Sequence, residues 1–213
     1  MLPITIQLEQ GFDSKFKKQV LREINLKLSR ALPLAAKTIE AALQKLVKDR
    51  LLSSPVVDSL AGGVLRAQFG LVDGGARISS IISRWAESIE VVALRGTGQG
   101  SFGGLKVTFS DDNYDIVLAM PEAEFVTEKG TPLPWLRWLL LDGGRAIVAN
   151  HFFRSSGWGR TRMGIMIKKE SSAWSVPRAY AGTFNNNFAT RALEGIQDDI
   201  DILIRREITK VIK

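Results

Sequence analysis

Arg160 and Arg162 lie among Ser155, Ser156, Gly157, Trp158, Gly159 and Gly164. Two chemistries are open to arginines beside glycine and an aromatic. The guanidinium can grip phosphates while the indole stacks on bases. Alternatively, an extended arm can fork its arginines onto carboxylates of another subunit. Aromatic interleaving is sparse and the block is short, so the arm is the favoured reading. Trp158, held between two glycines, reads as an interface anchor.

Other chemistries find less material. Gly96, Gly98 and Gly100 have the spacing of a phosphate loop, but such a loop needs a helix directly after it. Here Leu105 to Phe109 alternates like a strand, and no Lys-Ser/Thr pair follows. His151 is the only histidine. Ser155, Ser156 and Asp142 are its neighbours, without a nucleophile-elbow motif, so His151 beside Phe152 and Phe153 reads as packed or interfacial. Asp111, Asp112 and Asp115 lack the glycine and closing glutamate of a calcium loop and read as a solvated turn. With no cysteine there are no disulfides, thiolate zinc sites or cysteine nucleophiles. The expectation is a protein without catalytic residues, metal or cofactor.

The charge is +7 overall and unevenly placed. Asp111, Asp112, Asp115, Glu122, Glu124 and Glu128 form an acidic run without a base. Arg145, Arg154, Arg160, Arg162, Lys168, Lys169 and Arg178 follow, against the single acid Glu170. Such blocks attract within one fold, pair between neighbouring copies, or stand as two solvated faces. The candidate interaction residues are Arg154, Trp158, Arg160, Arg162, Lys168, Lys169 and Arg178, set against Asp111, Asp112, Asp115, Glu122 and Glu124.

The elements that position these residues are predicted from periodicity. Phe12, Phe16, Val20, Ile24 and Leu28 predict a helix from Asp13 to Ala31, interrupted by Pro33. Ile39, Leu43, Leu46, Val47 and Leu51 predict a second. Ser54-Pro55 is an N-cap followed by a first-turn proline, starting a helix that runs to Phe69 with a kink at Gly62-Gly63 and a stop at Gly70. Ile78, Ile81, Ile82 and Trp85 mark a short fourth helix. Ile89–Leu94 and Leu105–Phe109 predict a hairpin around a flexible glycine tip. Asp115–Met120 is a strand or a helical turn, and Ala123–Thr127 a strand. Pro134 starts a helix over Trp135–Leu141, and Ala146–Phe153 and Met163–Lys168 are the last strands. Trp135, Trp138 and Trp174 are core, tying that short helix to the sheet. From Phe188 to Val211 the helical period returns, capped by Asn186 or Asn187.

At 213 residues, 45% hydrophobic and 24% charged, the chain can bury a full core. The predicted class is α+β: a helical region over 1–86, then a mostly antiparallel central sheet with a long C-terminal helix packed on it over 87–213, together one structural unit. No apolar run reaches about 18 residues, so no membrane contact is expected, and the N-terminus has no signal-peptide pattern. Synthesis and use in the cytosol follow as the expectation.

Several segments carry a resemblance. They are Leu133-Pro-Trp-Leu-Arg-Trp-Leu-Leu-Leu141, Arg160-Thr-Arg-Met-Gly164, Trp174-Ser-Val-Pro177, Ala181-Gly-Thr183 and Asn187-Phe-Ala-Thr-Arg-Ala-Leu193, with Ser59-Leu-Ala-Gly-Gly-Val-Leu-Arg-Ala67 upstream. Over residues 54–213 the chain resembles the neck or tail-completion proteins of tailed bacteriophages, virion proteins of the head-to-tail junction. The resemblance implies a closed homo-oligomeric ring, commonly of about six or about twelve copies. Its partners would be the portal or adaptor, tail and other neck proteins, and DNA would pass through its lumen, touched without regard to sequence. A tail-terminator ring is the neighbouring possibility. A free, sequence-nonspecific nucleic-acid-binding protein using the Arg145–Arg178 block is the other.

Overall fold

The structure, a computed structural model, describes residues 2–3, 14–96, 103–111, 113–127, 130–155 and 164–212. A two-residue strand, β1 (Leu2–Pro3), precedes a 39-residue helix, α1 (Ser14–Leu52). Two helices parted at Pro33 were the expectation; one continuous helix forms. Pro33 offers no N–H to the Ser29 carbonyl, a loss of about 3 kcal/mol in a helix interior. Leu28, Leu32, Ala35, Ala36, Ile39, Leu43, Val47 and Leu51 are nevertheless buried at helical spacing on both sides of it. Each large aliphatic so buried contributes roughly 1.5–3 kcal/mol, so keeping the stripe in register outweighs one missing bond. Nearer its start the stripe is less covered: Val20 and Ile24 are half-buried and Phe16 is exposed.

Ser54 caps α2 (Pro55–Gly62), its hydroxyl accepting from the Val56 N–H. The expected kink is a full break. Gly63 separates α2 from α3 (Val64–Phe69), and a Cβ there would meet the Ser59 Cα at 2.9 Å. α4 (Gly74–Ala86) is longer than predicted and buries Ile78, Ile81, Ile82 and Trp85.

β2 (Ile89–Leu94) and β3 (Gly104–Phe109) pair antiparallel, with Val91 opposite Val107, and β1 lies on the far side of β3. Among the described residues β2 is therefore an edge strand, and α1 covers that edge. The Val91 N–H donates to Glu40 Oε2 at 2.8 Å, and Gln44 Nε2 donates to the Ile89 carbonyl at 3.1 Å. Two side chains one helical turn apart thus take the place of a neighbouring strand.

The remaining elements are short. Asp115–Leu118 forms α5, a helical turn rather than a strand, followed by a 3-10 turn at Pro121–Ala123. β4 (Phe125–Val126) pairs with β5 (Pro132–Leu133), and α6 (Trp135–Leu140) follows. β6 (Val148–Arg154) pairs antiparallel with β7 (Ile165–Trp174), which runs well past the predicted end at Lys168. The single closing helix expected from Phe188 is two, α7 (Phe188–Ala192) and α8 (Ile196–Ile212), because Gly195 takes a left-handed φ of 72° between them. The class is α+β as expected, with the described antiparallel strands shared among three small sheets.

These elements gather into two compact units. The first holds residues 1–46, 87–110 and 195–213, and so contains most of α1, the three-stranded sheet and α8. The second holds 47–86 and 111–194. The units interleave along the chain instead of following one another. Within the second unit Phe69, Trp138 and Trp174 form an aromatic triangle, with ring centroids 5.8 to 6.4 Å apart. Trp135 is fully buried, its Nε1 donating to the Glu122 carbonyl at 2.9 Å. Trp138, half-buried, thus ties α6 to Trp174 at the end of β7, while buried Trp135 ties α6 to the 3-10 turn.

Candidate assembly interface

The β6–β7 ribbon carries Arg154, Lys168 and Lys169 of the basic block. Among the described residues neither strand has a second neighbour. Only Trp174, at the base, is buried; every other residue of both strands is half-buried or exposed. The register sorts the side chains. Phe152 lies opposite Ile167 and Arg154 opposite Ile165 on one face; His151 lies opposite Lys168 and Phe153 opposite Met166 on the other. Each face therefore mixes apolar and cationic groups. Lys169 places its ammonium 5.8 Å from the centre of the Phe152 ring, a cation–π distance.

The unexpected length of β7 has a local cause. Ala149 pairs with Ala173 but His151 pairs with Lys168, so β7 bulges between those two pairings. Asn150 and Ser171 take left-handed φ values of 56° and 60° there, and the Ser172 hydroxyl closes onto the Lys169 carbonyl at 2.7 Å. A bulge of this kind bends a ribbon and re-aims its side chains. Consecutive aromatics, Phe152 and Phe153, are the one sequence signal for a ribbon with an apolar group on each face.

Arg154, Lys168 and Lys169 are exposed on this ribbon, and Arg178 is exposed in the turn that follows β7. Trp158, Arg160 and Arg162 lie outside the described residues, as does Asp112. The acidic residues do not form one surface. Asp111 is 1% exposed, and its carboxylate accepts the N–H groups of Ile116 and Val117 at 2.8 and 3.1 Å. It is turned inward to hold α5, which corrects its reading as part of a solvated turn and leaves it no part in a surface contact. Asp115 is exposed and accepts from Asn113 Nδ2 at 2.6 Å. Glu122 is half-buried, accepting from the Ser80 hydroxyl, while Glu124 is exposed and its backbone carbonyl takes the Arg77 guanidinium. Arg77 also bonds Asp73 at 2.8 Å, and holds that carboxyl below the usual aspartate range.

Among the described residues the partners of the other candidate groups are these. The Asp142 carboxylate pairs with Arg137 at 2.9 Å and Arg145 at 3.8 Å rather than with His151. His151 Nδ1 lies 2.8 Å from the Ala149 carbonyl of its own strand, a position that suits a donating Nδ1–H. The hairpin around the glycine tip forms as expected, while residues 97–102 of the tip lie outside the described residues. Among the described residues no group of three acidic or histidine side chains converges as metal ligands would.

Sequence reasoning missed the node that fixes the end of the second unit. Asn187, fully buried, accepts the Ala189 and Thr190 N–H groups on Oδ1, completing a capping box with Thr190. Its Nδ2 lies within bonding distance of the Tyr114 hydroxyl and the carbonyls of Leu140, Thr183 and Phe184. Beside it Gly182 approaches the Leu139 carbonyl so closely that no Cβ fits, and the Gly143 N–H donates to the Gly182 carbonyl at 3.0 Å. The Asn-Phe-Ala-Thr pattern signalled a cap; nothing in it signalled partners more than forty residues away in sequence. No family model matches the chain, nor does any curated protein or solved structure.

Proposed function

We propose that the chain is a structural virion protein of a tailed bacteriophage, a neck or tail-completion protein that assembles as a ring at the head-to-tail junction. The sequence segments over residues 54–213 support the placement, and the β6–β7 ribbon supports the mode of action. A two-stranded ribbon is marginal by itself in water. This one keeps apolar side chains on both faces, cations beside them and both long edges unpaired among the described residues. That composition suits an arm which completes its packing on another chain.

A closed ring joins one patch on each copy to a different patch on the next. Exposed Arg154, Lys168 and Lys169 supply the cationic patch, and Arg160 and Arg162 stand between them in sequence. Asp115, Glu122 and Glu124 supply the acidic one. The ring would join portal or adaptor to tail and let DNA pass through its lumen, where any contact is with phosphates and blind to sequence.

Electron microscopy of the purified protein, and of virions carrying it, tests this reading. Closed rings of one symmetry, found at the head-to-tail junction, are expected. A monodisperse monomer that binds random duplex DNA with a steep salt dependence would overturn it in favour of a free nucleic-acid-binding protein. Rings at the far end of the tail tube's assembly interface would move the protein to tail termination.

A further inference from the structure

The second unit contains a pocket of about 400 Å³, lined at its polar side by Arg50, Ser54, Tyr180 and Arg191 and at its apolar side by Val56 and Phe188. Among the described residues no acidic side chain lines it. Arg191 is held there by neutral acceptors alone: Nε donates to Asn186 Oδ1 at 2.9 Å, Nη1 to the Ala179 carbonyl at 2.9 Å and Nη2 to the Ala181 carbonyl at 2.7 Å. Those bonds fix the guanidinium in space without neutralising it, and no described carboxylate lies within ion-pair distance of it. A guanidinium has five N–H groups, so its two terminal nitrogens each keep a donor. Arg50 brings a second positive charge to the wall.

The start of α2 contributes shape rather than charge. Pro55 has no N–H, and the Val56 N–H is already turned onto the Ser54 hydroxyl. Buried Val56 and Phe188, with Pro55 and Ala192 beside them, form the apolar part of the wall. The ligand that matches both halves carries an anionic fork on an apolar body. We propose that this pocket binds a carboxylate borne on an aromatic or aliphatic group, presented either by a free small acid or by the C-terminus of a peptide. The inference is independent of ring formation.

Ligand-observed NMR on the full chain tests it with 3-phenylpropionate, 3-phenylpropionamide, inorganic phosphate and the peptide N-acetyl-Gly-Gly-Phe, as acid and as amide. The acids should bind at least about tenfold more tightly than their amides, because the charge-assisted fork is lost with the charge. Phosphate, which lacks the apolar body, should bind more weakly than 3-phenylpropionate. Arg191→Lys keeps the charge but loses the fork, and should weaken the acids about tenfold. Since Arg191 also braces its loop, Arg50→Gln is the companion variant; it should weaken binding several-fold, with the unfolding midpoint measured alongside for both variants. A tighter peptide acid marks a chain end as the natural ligand, and a tighter free acid marks a small molecule. Equal binding of acid and amide, phosphate binding as tight as 3-phenylpropionate, no binding at millimolar ligand, or wild-type affinity in both variants would each overturn the assignment.

Discussion

Asn187 donates and accepts where three separate stretches of chain meet: the α5 cap at Tyr114, the end of α6 at Leu140, and the turn at Thr183–Phe184. Its removal leaves buried carbonyls and helix N–H groups unsatisfied at once. Asn187→Ala should therefore destabilise the protein by about 3 kcal/mol, the sum of a lost N-cap and an unmet buried amide network. Urea unfolding measures this, and a loss under about 1 kcal/mol would reduce the residue to an ordinary cap. Gly182→Ala is predicted to be worse tolerated, since its methyl group meets the Leu139 main chain, which cannot swing aside as a side chain can. Soluble expression with a wild-type unfolding midpoint would contradict that contact.

At the scale of elements, α8 carries a buried acid on its inner face. Glu207 sits beside buried Leu203 and Ile204, paired with Lys210 at 2.7 Å and Arg206 at 3.0 Å. The Lys210 ammonium, and after it Arg206, hold the carboxyl below the usual glutamate range. A carboxyl whose folded pKa is depressed contributes stability above its unfolded pKa and loses it as the pH falls. The Glu207 contribution is thus present at neutral pH and fades from about pH 5 downward. Glu207→Gln should unfold more easily than the parent at pH 7, with the difference shrinking by pH 3; a difference that grows on acidification would contradict the pairing. The helices were legible where the apolar period is long, as in α1 and α4, and where caps are explicit, as at Ser54 and Gly70. Pro33 misled because local propensity competes with a stripe that burial keeps in register. The break at Gly195 was hidden because the apolar period resumes on both sides of it.

For the whole molecule, the class of fold was legible and the division into units was not, because residues 47–86 and 111–194 come together only through long-range packing. The candidate site was partly legible. Charge blocks show in a sequence, but solvent exposure does not, and Asp111 passed for a surface acid while serving as an internal cap. The exposed members, Lys168 and Lys169 on the ribbon and Asp115 and Glu124 on the acidic stretch, now define the test of head-to-tail assembly. Light scattering should give a single closed oligomer for the wild-type chain. Lys168→Glu with Lys169→Glu should collapse it towards the monomer mass, and so should Asp115→Lys with Glu124→Lys. The chain carrying all four reversals should recover the oligomer, because the two patches again oppose one another in charge. An oligomeric mass indifferent to either pair of reversals, or a four-fold variant that stays monomeric, would contradict the account.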